Sequence, residues 1–142
     1  EQVKPHIAVQ FLSEAFQREA QDKLADPFMF LLKNIGNAHH AIIDYAEARG
    51  LLETPRTTCV ACIVQSGHAY WAHVGDSRLY RFRHNRFEQL TMDHSLLQEL
   101  VDRGFYSQEE AARSTNRNYV TRALGVEPTV QVEVQELEVQ AG

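Results

Sequence analysis

With 142 residues the chain has the length of one domain, and a folded chain of that size buries roughly 70% of its unfolded surface. Its net charge of −5 excludes a broad basic surface for nucleic acid, and 44% hydrophobic with 23% charged residues excludes general disorder. Two cysteines, Cys59 and Cys62, exclude a disulfide framework, and no apolar run reaches the roughly 20 residues that span a bilayer. With no signal-peptide pattern at Glu1, no membrane association is expected and a reducing, cytoplasmic location is.

The first element is a helix from Pro5 to Ala20, where Ile7, Ala8, Phe11, Leu12, Ala15 and Phe16 recur at helical spacing. Asp26-Pro27 reads as an N-cap followed by proline at the first helical position. A second stripe then runs through Phe28, Leu31, Leu32, Ile35, Ala38, Ile42 and Ala46 to a stop at Gly50. After Pro55 the pattern changes. Thr57 to Val64 is β-branched and apolar, as expected of a strand covered on both faces. Ser66-Gly67 marks a turn, His68 to Val74 a second strand, Arg78 to Arg83 a third, and Phe87 to Leu90 a fourth beyond His84-Asn85. Links this short predict antiparallel pairing of consecutive strands. Asp93 or Ser95 can cap a short helix that ends at Gly104, and Ser107-Gln108-Glu109-Glu110 has the form of a capping box. A polar loop, 114–118, and an alternating strand through Val130, Val132, Val134, Leu137 and Val139 complete an α+β chain of one domain, 1–142. Its parts are a helix pair (1–50), central antiparallel strands (57–90), a helical insert (93–118) and a return strand (119–142).

Chemistry concentrates at His73-Val74-Gly75-Asp76-Ser77-Arg78-Leu79-Tyr80, which puts a carboxylate at a tight strand corner. Such a carboxylate can hold a hard cation, Mg²⁺ or Mn²⁺. Gly-Asp-Ser is also an ordinary turn in which Asp bonds its own backbone, so the turn alone leaves both readings open.

The neighbours of that turn carry a resemblance. Thr57-Thr58-Cys59-Val60-Ala61 and Ala72 to Arg81 resemble the central strands of metal-dependent type-2C (PPM) serine/threonine phosphatases of the bacterial type. Gln89-Leu90-Thr91-Met92-Asp93-His94-Ser95 is similar to the segment that opens that family's flap. Leu100-Val101-Asp102-Arg103-Gly104, Glu109-Glu110-Ala111 and Arg117 to Gly125 continue the family order. The resemblance implies part of an αββα sandwich and hydrolysis of phosphoserine or phosphothreonine by a metal-activated water. It implies Asp76 as ligand of a third, weaker Mg²⁺ or Mn²⁺, with the flap controlling access and Thr121, Arg122 and Gly125 structural. Phosphorylated proteins, including targets of a serine/threonine kinase, are the implied partners. The family's Asp-Gly loops and phosphate-binding basic residue have no counterpart here, so both ends read as boundaries within a longer protein and this stretch is expected to be inactive alone. No catalytic residue is assigned. Arg56, where many members have glycine, is a departure that touches no site residue.

Other candidates have plainer readings. Cys59 and Cys62, three apart on a strand, point to opposite faces and read as buried structural thiols. Adjacent His39 and His40 diverge on a helix, so one packs while the other is solvated. His73 and His94 hydrogen-bond near the turn rather than act as catalytic acids or bases. Tyr70, Trp71 and Phe82 read as sheet core, and Arg78, Arg81, Arg83 and Arg86 as a basic run, three of them sharing a solvated face at alternating strand positions, with phosphate docking as the alternative. Against the enzyme stands a degenerate phosphatase-like domain that binds a partner without turnover. A third expectation is self-association through exposed sheet edges and apolar faces.

Overall fold

The computed structural model describes residues 3–52, 55–105, 107–113, 122–124 and 132–138. The first helix, α1 (Val3–Glu19), lies on α2 (Pro27–Ala48), and α2 lies on a sheet of β1 (Cys59–Gln65), β2 (His68–Val74) and β5 (Glu133–Glu138). A separate two-stranded sheet holds β3 (Tyr80–Arg83) and β4 (Arg86–Gln89). Between the hairpin and β5 stand two short helices, α3 (Leu96–Asp102) and α4 (Gln108–Arg113).

Local chemistry sets the helix ends as expected. Asp26 accepts a hydrogen bond from the Met29 N–H at 3.1 Å, and Pro27 opens α2, where a missing N–H costs nothing. Ser95 rather than Asp93 caps α3, accepting from the Gln98 N–H at 3.2 Å. Ser107 caps α4 through the Glu110 N–H at 3.1 Å. The polar loop 114–118, Thr121, Gly125, Val130 and Val139 lie outside the described residues.

The core forms where the α2 stripe meets the inner face of the sheet. Leu31, Ile35, Ile42, Ala72, Val74 and Leu124 are almost fully buried there. Within α2 His39 is buried and His40 exposed, as their angular separation requires. The order in the larger sheet is β1-β2-β5, both pairings antiparallel, with Cys59 opposite Val74 and Ala72 opposite Val134. Gln65 anchors the far end, exchanging two 2.9 Å hydrogen bonds with the backbone of Leu24.

Four expectations about the strands are corrected. First, β1 is covered on one face only: Val60 and Val64 are 36% and 68% exposed, and Cys62 is exposed while Cys59 is half-buried. Its apolar run resembles a fully buried strand, yet among the described residues only the α2 side is packed. Second, β2 and β3 do not pair despite the short link, because the chain turns out of the larger sheet at Gly75 and β3 pairs with β4 instead. Third, Phe82 is 61% exposed, while Trp71 is buried and Tyr70 half-buried as core residues should be. Fourth, along β3 the arginines 81 and 83 lie on the more buried face, opposite to the solvated face expected for them.

Replacing Ile35, which is 0% exposed, by Ala should cost about 2–5 kcal/mol in urea unfolding. Val64→Ala on the open face should cost less than about 0.5 kcal/mol. Equal losses would show that the outer face of β1 is packed in solution.

Candidate functional site

At the end of β2 the chain has to turn inside the protein. Gly75 is buried with φ +106°, and a Cβ there would lie 2.6 Å from Thr58 Cβ and 3.2 Å from the Arg122 carbonyl oxygen. Both the backbone conformation and the missing side chain select glycine. Its peptide groups are then fastened twice to one residue. The Gly75 N–H donates to His94 Nδ1 at 3.0 Å, and the His94 N–H donates to the Gly75 carbonyl at 3.0 Å. Two residues on, the hydroxyls of Ser77 and Thr58 share a 2.6 Å hydrogen bond. Asp76 sits half-buried between these fixed points.

The His94 clamp dictates its own protonation state. Because the Gly75 N–H can only donate, Nδ1 must accept, and the neutral ring carries its proton on Nε2. That nitrogen faces an Arg122 guanidinium nitrogen at 3.3 Å, itself 3.4 Å from Glu133. The His73 ring stacks on the other side, centroids 4.4 Å apart and planes 18° apart, with its Nε2 donating to the Met92 carbonyl at 2.8 Å. Burial, the Arg122 charge and His73 together pull the His94 pKa down from 6.5 to about 4.

Asp93 has a different task from Asp76. It accepts a bidentate pair from Arg78, Nε to Oδ1 at 3.0 Å and a terminal nitrogen to Oδ2 at 2.8 Å. Tyr80 accepts from the same guanidinium at 3.3 Å, and the Leu79 N–H donates to Thr91 Oγ1 at 3.2 Å. The segment 90–94 is thus tied to both sides of the turn. A cavity of about 250 Å³ lies beside it, lined by His73, Asp93, His94, Glu99, Arg122 and Glu133 among others.

Asp76 offers a single carboxylate on a rigid corner. Among the described residues no group of three or more His, Cys, Asp or Glu side chains could hold a metal ion. A Mg²⁺ that keeps most of its waters needs only one or two carboxylates, so the turn fits a weakly held ion and not a two-metal centre. Cys59, with its thiol pKa pushed up to about 11 by burial, offers no reactive thiolate. The expected neighbours of the turn, His73, Arg78 and His94, are brought together at it. The Thr58–Ser77 and Arg78–Asp93 pairs join residues 19 and 15 positions apart, a separation that no local sequence pattern marks.

Gly75→Ala should destabilise the protein by about 2–4 kcal/mol through backbone strain and the clash with Thr58, read from chemical denaturation. His94 has a second signature. Since its folded pKa lies below the unfolded one, the unfolded chain binds the extra proton between about pH 6.5 and 4, so stability falls as pH drops through that window. His94→Asn retains an acceptor for the Gly75 N–H but cannot titrate. Its stability should fall less steeply over the window than wild type, by about 1 kcal/mol per pH unit; parallel curves would refute the neutral clamp.

No protein-family model matches the chain. Over 132 residues it is 38% identical to the serine/threonine phosphatase stp of Listeria welshimeri, covering 92% of this chain and 52% of that protein. The crystal structure of the Mycobacterium tuberculosis serine/threonine phosphatase PstP/Ppp superposes with a TM-score of 0.83 at 28% identity, covering 96% of this chain and 58% of that one. The catalytic domain of the serine/threonine protein phosphatase PstP in complex with two manganese ions gives 0.74 at 29% identity, with 96% and 57% covered. The chain spans about half the length of the curated relatives it matches. By sequence and by fold, an α+β part of an αββα sandwich, the chain is similar to about half of the bacterial type-2C (PPM) serine/threonine phosphatases.

Proposed function

We propose that the protein is a metal-dependent phosphatase of phosphoserine and phosphothreonine in proteins, and that Asp76 binds the weaker, third Mg²⁺ or Mn²⁺ of its site. Bound divalent cations would supply a water of lowered pKa and would neutralise phosphate charge. Residues of this chain contribute the scaffold: His94 and Thr58 hold the Asp76 turn, and the Arg78–Asp93 pair holds the flap segment beside it. One observation carries the reading above all: Asp76 is presented between two fastened residues and is paired with no basic side chain among the described residues. No described helix is long and apolar enough to cross a membrane. Free thiols at Cys59 and Cys62 suit a reducing cytoplasm, and substrates of a serine/threonine kinase suit the chemistry. We take 1–142 as one domain unit, whose open β1 face provides for self-association at high concentration.

Asp76→Ala, in the protein at the full length its reading frame encodes, should lower Mn²⁺-dependent phosphopeptide hydrolysis about 10- to 100-fold. Unchanged activity would remove Asp76 from the site. Binding of phosphopeptide with no hydrolysis at any Mn²⁺ concentration would instead identify a non-catalytic, partner-binding domain.

A further inference from the structure

The cavity beside segment 90–94 is acidic, with Asp93, Glu99, Asp102 and Glu133 set against one basic side chain among the described residues, Arg122. Asp93 is held by Arg78, and Glu133 lies 3.4 Å from Arg122, so these two charges are answered in place. Glu99 and Asp102 are exposed, three positions apart on one face of α3. Asp102 accepts from the neutral Gln98 side chain at 3.0 Å, and no basic side chain among the described residues pairs with either carboxylate. Among the described residues no three His, Cys, Asp or Glu side chains could hold a metal ion, so the charge suits a larger cation with spread donors. His73 adds a buried acceptor. Its ring is 3% exposed and lines the same cavity. Nε2 lies 2.8 Å from the Met92 carbonyl, which can only accept, so in the neutral ring Nδ1 keeps a lone pair. That nitrogen is buried without a hydrogen-bond partner. A buried acceptor left unpaired is destabilising, and a donor that reaches it offsets the loss. The stacked His94 ring offers no second acceptor, because Gly75 and Arg122 engage its two nitrogens.

We propose that this cavity receives the guanidinium of an arginine side chain in the phosphorylated protein substrate. A guanidinium presents five N–H donors in a planar fork and is more weakly hydrated than an ammonium, so it can serve the His73 nitrogen and the α3 carboxylates together. Leu90 and Met92 give the cavity an apolar wall for the aliphatic stem of the arginine. Arg122 does not fill this role, since Glu133 and His94 engage it. The source of the guanidinium rests on the phosphatase reading of the turn. His94 lines the cavity and also bonds Gly75, the residue before Asp76, so cavity and turn adjoin. An extended peptide rises about 3.3 Å per residue, which brings an arginine about two to four residues from a phosphorylated side chain at the turn into reach.

The test is binding without turnover, in the presence of a chelator, so that it stands or falls separately from hydrolysis. N-acetyl-arginine amide is titrated into the chain beside N-acetyl-citrulline amide, which has nearly the same shape without the charge. The nitrogen resonance of His73 Nδ1 should shift and saturate with the arginine compound, and the citrulline compound should bind at least about tenfold more weakly. Glu99→Gln combined with Asp102→Asn should weaken arginine binding at least about tenfold. Both positions are exposed, so this variant should melt at the wild-type temperature. His73→Phe keeps a ring but removes the acceptor, and should weaken binding in the same direction; the double variant decides the matter if this one fails to fold. An unmoved His73 resonance, or unchanged affinity in the double variant, would overturn the proposal. A phosphoserine peptide with arginine about three residues away should bind more tightly than the same peptide with citrulline. Equal binding of these two peptides, with arginine amide still bound, would overturn the substrate assignment and mark a pocket for a free guanidine.

Discussion

Everything near the site depends on one backbone position, Gly75. Its φ of +106° turns the chain out of the three-stranded sheet at a point where Thr58 leaves no room for a side chain. The cost of a buried reversal is unpaired peptide groups, and His94 meets it by accepting from the N–H and donating to the carbonyl. Because one residue meets both, the turn and the segment 90–94 are not independent: loss of either hydrogen bond strands a buried polar group in the other. Rigidity of the corner follows from this reciprocal pairing alone.

The same reversal decides the architecture. β2 delivers its inner face, Ala72 and Val74, to the α2 core and then ends. β3 begins five residues after Gly75 in a different sheet, anchored back by the Leu79–Thr91 and Leu79–Leu90 hydrogen bonds. The corner therefore stands where two sheets meet, the kind of junction at which a rigid scaffold can aim a side chain into a cleft. Leu124, fully buried and bonded in both directions to Thr57, closes the structure behind it.

Much of this was readable from local chemistry. Asp26-Pro27, Gly50, Ser95 and Ser107 each act through neighbours within a few residues, so their signals survive in a single sequence. The turn itself was readable because a motif marked it. What escaped depends on distant partners. The apolar run of β1 looks buried on both faces, but burial is decided by what lies over the strand, and Val60 and Val64 remain open. Pairing of β2 with β3 followed from link length alone, and one left-handed glycine defeats that rule. Phe82 looked like core because alternation gives the period of a strand and not which face is inside. The His94 clamp spans 19 positions in sequence, beyond any periodic signal.

The two aspartates of the site motifs show how similar residues acquire different roles. Asp93, 13% exposed in its side chain, is consumed by the Arg78 fork, and its charge holds the segment 90–94 to the start of the hairpin. Asp76 is flanked by neutral hydrogen bonds instead: glycine to a neutral imidazole on one side, serine to threonine on the other. The nearest guanidinium behind the clamp, Arg122, is offset by Glu133 and faces the imidazole rather than the turn. A charged His94 would place a cation behind the corner and reduce the negative potential there. Keeping that ring neutral, by burial and by Arg122, preserves a lone carboxylate whose charge is not answered from within the described structure. A carboxylate in that state is suited to a hydrated divalent cation, whereas one already paired to arginine is not.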